Sequence, residues 1–418
     1  MTADRVFQSV TCLGCGCGCD DLTVKVRGGR IAEVSPPCPL AQRWFGDGTV
    51  SSEIRVDGRP ATIEKAIAAA VAVLSGAGTP VVIIAPDLTT EAQRGAIAVA
   101  DTLGADVDGS TSDSAAAGIL VAQRRGRSAA TLGELKNRAD AVLFWAVDPR
   151  ERYPRYLERY AAARSSTHVR RRSLLSVSIG ADRGPKDAET QAEFTAAEEV
   201  DALAIMAGTV RGQKFEGLPK RLQPAVGIAE RLLEARYVAI VHDAEAPGEA
   251  RDAQRTEGLV ALTQTLNGPT RAALSSLRAG GNRSGAEAAL TWQTGYPMRV
   301  SFAGGYPRST PAPSGLERLR SGVAGPVLLV GSAAALADSR LALDKSPAVV
   351  IGPGASAVSG VRVAIDTGVA GIHERGTGYR MDDVPLPLTP VLDGPRSAAG
   401  TLGQLLSALR TQTAGRTR

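Results

Sequence analysis

Five cysteines fall between residues 12 and 38, and the rest of the chain has none: Cys12, Cys15, Cys17, Cys19 and Cys38. Cys12, Cys15 and Cys19 are spaced C-x2-C-x3-C, and Cys38 stands beyond a short hairpin. Four thiolates in this pattern can hold an iron–sulfur cluster or, less often, zinc. The blander alternative is a glycine-rich loop that happens to carry small, buried cysteines. In a reducing compartment clustered thiols indicate metal more often than disulfide. Cys17 is surplus to any four-ligand set.

Other candidate chemistry is thinner. His168, His242 and His373 lie far from the cysteines in sequence and form no spaced pair, so surface or core placement accounts for each. Ser114 has no G-x-S-x-G elbow around it, which argues against a hydrolase nucleophile. The loops Gly352-Pro353-Gly354 and Val330-Gly331-Ser332 each follow a strand-like run, the place where open α/β sheets cradle phosphates. Neither completes a G-x-G-x-x-G, and glycine there is also ordinary turn chemistry.

The elements that must position these residues read as α/β. Residues 1–55 form a small β-rich unit in which Leu22–Val26 and Ile31–Val34 alternate and Gly28-Gly29 supplies the positive φ of a tight hairpin turn. The hairpin returns the chain so that Cys38 lies near the first three ligands. Beyond it, apolar runs at 80–85, 142–147, 174–179, 237–242, 298–302, 327–330, 348–351 and 361–365 predict strands. Helical stretches are expected at 63–74, 90–103, 153–163, 196–210, 227–235 and 252–266, and the tail after Gln412 reads as frayed. Strands alternating with helices predict two doubly wound parallel-sheet domains. The expected division is 1–55, then 56–140 with 320–418 as one discontinuous domain, and 141–319 as the other.

Composition narrows the function classes. The chain has 418 residues, is 44% hydrophobic and only 4% aromatic, and carries a net charge of +5. Its basic clusters, at 124–127 and 170–172, are short and not interleaved with aromatics, so nucleic acid is a poor partner and solvated faces or subunit contacts are expected. No apolar run approaches the roughly 18 residues of a membrane span. The first ten residues lack a secretory pattern, which places the chain in the cytoplasm.

Four passages, in order and spread over almost the whole chain, resemble the B subunit of formylmethanofuran dehydrogenase, of the molybdopterin formate-dehydrogenase superfamily. They are CLGCGCGCDDLTV (12–24), TLGELKNRADAVLFWAVDPRERYPRYLERY (131–160), TWQTGYPMRVSFAGGYPR (291–308) and AGIHERGTGYRMDDVPLPLTPVL (370–392). The resemblance implies a small iron–sulfur domain followed by α/β domains around a bis-pterin tungsten or molybdenum site. In active members a cysteine or selenocysteine followed by histidine binds the metal. Counting back without gaps from LGELKNRADAVLFW, that pair falls on Ser114 and Ala115. A serine hydroxyl is a poor substitute for a soft thiolate, and alanine removes the acid–base group. The family's fourth cluster cysteine is followed by a short spacer and glycine, whereas Cys38 precedes Pro39-Leu40-Ala41-Gln42.

The resemblance extends to the B subunit of the bacterial formyltransferase/hydrolase complex of methylotrophs. There a formyl group passes between tetrahydromethanopterin and a methanofuran-type carrier and is hydrolysed to formate. The expectation is a B subunit that has lost redox catalysis and acts as a structural and carrier-docking component. Its partners would be amidohydrolase-like A, C and formyltransferase subunits. No tungsten- or molybdopterin is expected, and the family cluster positions Cys12, Cys15, Cys19 and Cys38 form a vestigial [4Fe-4S] site that is expected to be empty. Arg283, Trp292, Tyr296, Tyr306 and Arg308 are the carrier-contact candidates, with core packing as the alternative for the aromatics. Two other readings stay open: an active oxidoreductase with a serine-ligated metal and a [4Fe-4S] cluster, and a free-standing iron–sulfur or zinc protein.

Overall fold

The computed structural model describes residues 4–109, 111, 113–162, 168–245, 253–310, 315–322, 325–333, 335 and 346–416. It is an α/β chain that divides into two compact units, Met1–Thr111 with Gly280–Arg418, and Ser112–Ala279. The sequence reading sets the second unit at 141–319 instead.

In the first unit a nine-stranded sheet runs in the order 308–309, 300–301, 106–109, 81–84, 327–330, 348–352, 363–366, 54–56, 59–60. The five central strands are parallel and the flanking pairs antiparallel. Buried on both faces, the central strands read as continuous apolar runs, as parallel strands do. Val82, Ile84, Leu328, Val330, Val349 and Ile351 pack on one face against the helices Ile63–Leu74, Thr90–Leu103 and Ala398–Arg416. Their alternates Val81, Ile83, Val327, Leu329 and Val350 pack on the other with Leu319 and Ala355. Two of the three helices start where a threonine side chain accepts an N–H of the first turn: Thr62 from Lys65, and Thr89 from Ala92.

A three-stranded antiparallel sheet, Arg5–Val10, Leu22–Arg27 and Arg30–Ser35, carries the cysteine segment. Its second turn is the expected one. Gly28 and Gly29 have φ of 55° and 78°, and Arg27 faces Arg30 across a two-residue loop.

The second unit holds an all-parallel five-stranded sheet in the order 190–194, 173–179, 141–145, 237–243, 271–277. Leu143, Trp145, Leu175, Val177, Val238 and Ile240 pack against helices Glu199–Val210, Gln223–Leu233 and Ala253–Leu266. Two expectations need correction here. The helix expected at 153–163 is a four-residue helix, Pro149–Arg152, followed by a π-helical turn, Leu157–Ala161. The basic cluster at 170–172 is not all solvated, because Arg172 is buried. In the first unit, helix Ala398–Arg416 continues through the tail that reads as frayed in the sequence.

Candidate functional site

The cysteine loop is braced mainly by backbone. The Cys12 N–H donates to Cys19 O at 2.8 Å, closing residues 12–19 into a ring, and the Gly18 N–H donates to Cys15 O at 3.2 Å. Segments distant in sequence hold the outside. Met381 N–H donates to Gly16 O at 2.9 Å and Gly281 N–H to Leu13 O at 2.7 Å. The Thr11 hydroxyl donates to Pro387 O at 2.9 Å. Glycine is required where the backbones touch: a Cβ on Gly14 would lie 2.6 Å from Leu40 O, and one on Gly280 would lie 2.6 Å from Gly14 O. Cys38 occupies the cap position of helix Pro39–Phe45, so the fourth thiol is placed by a helix start.

The four family positions come together. Cys12, Cys19 and Cys38 are buried and Cys15 half-buried, while Cys17 is also buried. Burial pushes the Cys12 thiol well above its ordinary value. The Gly14 N–H, 3.2 Å from Sγ, opposes this, and repulsion from Cys15, Cys19 and Cys38 adds to it. Each of the other three therefore lies close enough to Cys12 for its charge to be felt. The donor set suits an iron–sulfur cluster, since all four ligands are soft sulfurs that would ionise on binding. Among the described residues no three His, Cys, Asp or Glu side chains converge tightly enough to hold a single metal ion.

Ser114 and Ala115 stand in the first turn of helix Asp113–Arg125. The side chain of Ser114 lies outside the described residues. Ala115 is buried, and its methyl group can neither ligate a metal nor move a proton. Neither residue type matches the cysteine–histidine pair that the resemblance implies for active members at this position.

At the carboxyl ends of the central strands in the first unit, a group that the sequence reading missed takes up the glycine loop. Asp87, two residues past Ala85, accepts the Ser332 N–H with both oxygens at 3.3 and 3.2 Å. Burial pushes its carboxyl up, opposed by Ser332 and more weakly by the Arg283 guanidinium. The N–H that would have offered itself to a phosphate is thus already used. An acid directly after a buried strand was the available signal. Arg283 begins helix Arg283–Thr294, and its Nε donates to Gly280 O at 3.2 Å. Beside it Asn282 is wholly buried: its amide donates to Leu88 O and Thr90 Oγ1, and it accepts the Tyr379 N–H at 2.7 Å.

The five carrier candidates therefore separate. Arg283 belongs to this buried junction, whereas Trp292, Tyr296, Tyr306 and Arg308 are exposed. Core packing is not their role. The histidines fall out as expected: His168 is exposed, His242 is buried with Nε2 2.8 Å from Ser276 Oγ, and His373 bridges Gly48 O and the Val369 N–H.

No family model matches the chain. It is 27% identical to the B subunit of tungsten-containing formylmethanofuran dehydrogenase 2 from Methanocaldococcus jannaschii, over 94% of this chain and 95% of that protein. The protein of the same name from Methanococcus maripaludis is 26% identical over the same shares. Among solved structures, a chain of the formyltransferase/hydrolase complex from Methylorubrum extorquens, crystallised with methylofuran, superposes with a TM-score of 0.71. It is 24% identical, covering 86% of this chain and 99% of that one. The likeness to the dehydrogenase's B subunit that the four passages carry is borne out along nearly the full length, and so is the likeness in fold to a chain of the bacterial complex.

Proposed function

We propose, on the premise that the chain is similar to the B subunit of formylmethanofuran dehydrogenase from end to end, that it is the B subunit of a formyltransferase/hydrolase complex in one-carbon metabolism. Its role is structural and carrier-docking. The partner subunits move a formyl group between tetrahydromethanopterin and a methanofuran-type carrier and release formate by hydrolysis. The solved relative supports this assignment, because it is a chain of such a complex holding methylofuran. The arrangement proposed is that of formate dehydrogenase-like proteins, with a small cysteine domain in front of two α/β domains. The cytoplasm is the proposed location; among the described residues no helix is long and apolar enough to cross a membrane.

One observation carries the loss of redox chemistry: Ala115, a buried methyl where the family's acid–base group would stand. Cys12, Cys15, Cys19 and Cys38 are the residues that would hold a [4Fe-4S] cluster, which would supply electron transfer. With no redox centre to serve, the loop acts as a structural element in this reading, and its backbone bracing supports that role. Arg283 is retained as the carrier-side candidate.

The rival reading, an active tungsten or molybdenum formylmethanofuran dehydrogenase, draws on the assembled cysteines and on the archaeal relatives' names. One measurement separates the two. The complex is purified anaerobically and assayed for tungsten, molybdenum, iron and sulfide, and for viologen-linked formate turnover. Neither pterin metal nor turnover is expected; stoichiometric metal with turnover overturns the proposal.

A further inference from the structure

Residues 292–308 leave three aromatic rings in solvent, in a chain that is only 4% aromatic. Trp292 is 58% exposed, Tyr306 56% and Tyr296 37%. They are held in place. Trp292 projects from the last turn of helix Arg283–Thr294, its ring centre 5.9 Å from that of Tyr379 in an edge-on arrangement. That helix ends at Gly295, whose φ of 81° suits glycine, and the Tyr296 N–H then donates to Thr294 Oγ1 at 3.1 Å. Tyr306 stands at the turn between strands Val300–Ser301 and Arg308–Ser309, and the Arg308 guanidinium lies 4.9 Å from the centre of its ring. Pre-positioned Trp, Tyr and Arg side chains lose little freedom on docking, and these residue types are enriched among protein interface hot spots.

The charge on the segment itself has one sign. Between residues 288 and 310 the charged side chains are Arg299 and Arg308, with no aspartate or glutamate. The adjacent helix Thr90–Leu103 adds Arg94, which is exposed and whose carbonyl receives Gln293 Nε2 at 3.4 Å. Two of the nearby carboxylates are engaged, while Asp101 on the same helix as Arg94 is exposed. Glu91 takes the Thr377 N–H and hydroxyl at 2.8 and 2.9 Å, and Glu287 takes the Thr111 hydroxyl at 3.0 Å. A second copy would set this carboxylate-free segment, with its two arginines, on itself, in a chain that already carries +5. Arg283, expected alongside these residues, lies nine positions back, about 14 Å along the helix axis.

We infer that the segment from Trp292 to Arg308 docks a partner subunit whose facing surface offers apolar pockets rimmed by carboxylates. The inference rests on the proposed membership of a multi-subunit complex and goes further, by naming the surface and the partner's chemistry.

The test titrates the full chain with the amidohydrolase and formyltransferase subunits, purified together without it. Wild type is compared with the double variant Trp292→Ala/Tyr306→Ala and with Arg308→Glu. The double variant should bind at least roughly thirtyfold more weakly, the loss of a hot-spot cluster. Arg308→Glu should also weaken binding and reduce its dependence on salt. Arg308 is exposed, so this variant keeps the test decisive if the double variant melts early. Wild-type affinity in both variants overturns the inference. So does normal assembly with the partner subunits and a selective loss of carrier, which would make the patch a ligand platform. If wild type itself fails to bind the subunits, the complex reading falls, and this inference with it.

Discussion

Arg172 shows how one residue can carry an element boundary. Its guanidinium is buried and its five N–H contacts all go to carbonyl oxygens: Ala139, Tyr160, Ala162, Leu135 and Lys136, at 2.6–3.4 Å. These carbonyls close helix Leu132–Arg138 and the π-helical turn, so one cation satisfies two C-terminal ends. Arg172→Leu strands those acceptors and should cost on the order of 3–5 kcal/mol. Arg172→Lys keeps the charge but has three donors, so it should fall in between in urea unfolding. At the cysteine loop the opposite holds. Cys12→Ser retains an acceptor for the Gly14 N–H, and the ring from 12 to 19 closes through backbone. If the thiols hold no metal, its unfolding free energy and its free energy of assembly with partners should stay within about 1 kcal/mol of wild type. A metal-held loop would unfold instead, because binding free energy would then be folding free energy.

At the scale of elements, glycine makes opposite demands in different places. A Cβ on Gly352 would sit 1.9 Å from Gly331 O, backbone against backbone at the carboxyl ends of neighbouring strands. Gly227, inside helix Gln223–Leu233, has nothing within 4 Å. Gly352→Ala should therefore destabilise by more than about 2 kcal/mol, and Gly227→Ala should stabilise by roughly 0.5–1 kcal/mol; calorimetry of each checks the sign. The same contrast explains what could be read from sequence. VVII, VLLV and AVVI announced buried parallel strands because both faces are covered. The strand Thr190–Phe194 lies at a sheet edge with alternating burial, and Asp106–Gly109 carries two aspartates, so neither showed an apolar run. Cys12, Cys15, Cys19 and Cys38 were legible because ligand spacing is local, whereas Asp87 meets Ser332 across 245 residues, so an acid after a strand was visible but its partner was not. Arg283 parted from Trp292 because a helix turns and advances along its axis, which linear proximity hides.

For the molecule as a whole, the acid response should follow from two histidines, one in each compact unit. Burial holds both His373 and His242 below the ordinary imidazole value. For His242 the Arg127 and Arg255 charges add to burial and bring it to about 3. An unfolded chain binds these protons near 6.5, so between 6.5 and the folded value the unfolded state holds more of them and stability falls as pH falls. The contribution is fully present above 6.5. Below that it is lost at up to about 1.4 kcal/mol per pH unit for each histidine until the folded value is reached. The raised carboxyls of Asp243 and Glu374 work the other way, each gaining stability on protonation. His242→Gln separates the effects, since an amide can still meet Ser276 Oγ but does not titrate. Unfolding free energies of the two proteins, measured in urea from pH 7 to pH 4, should converge as the solution becomes acidic, with the variant showing the flatter slope. Parallel slopes across that range would mean that His242 is protonated in the folded chain, and that burial within the five-stranded sheet does not keep it neutral.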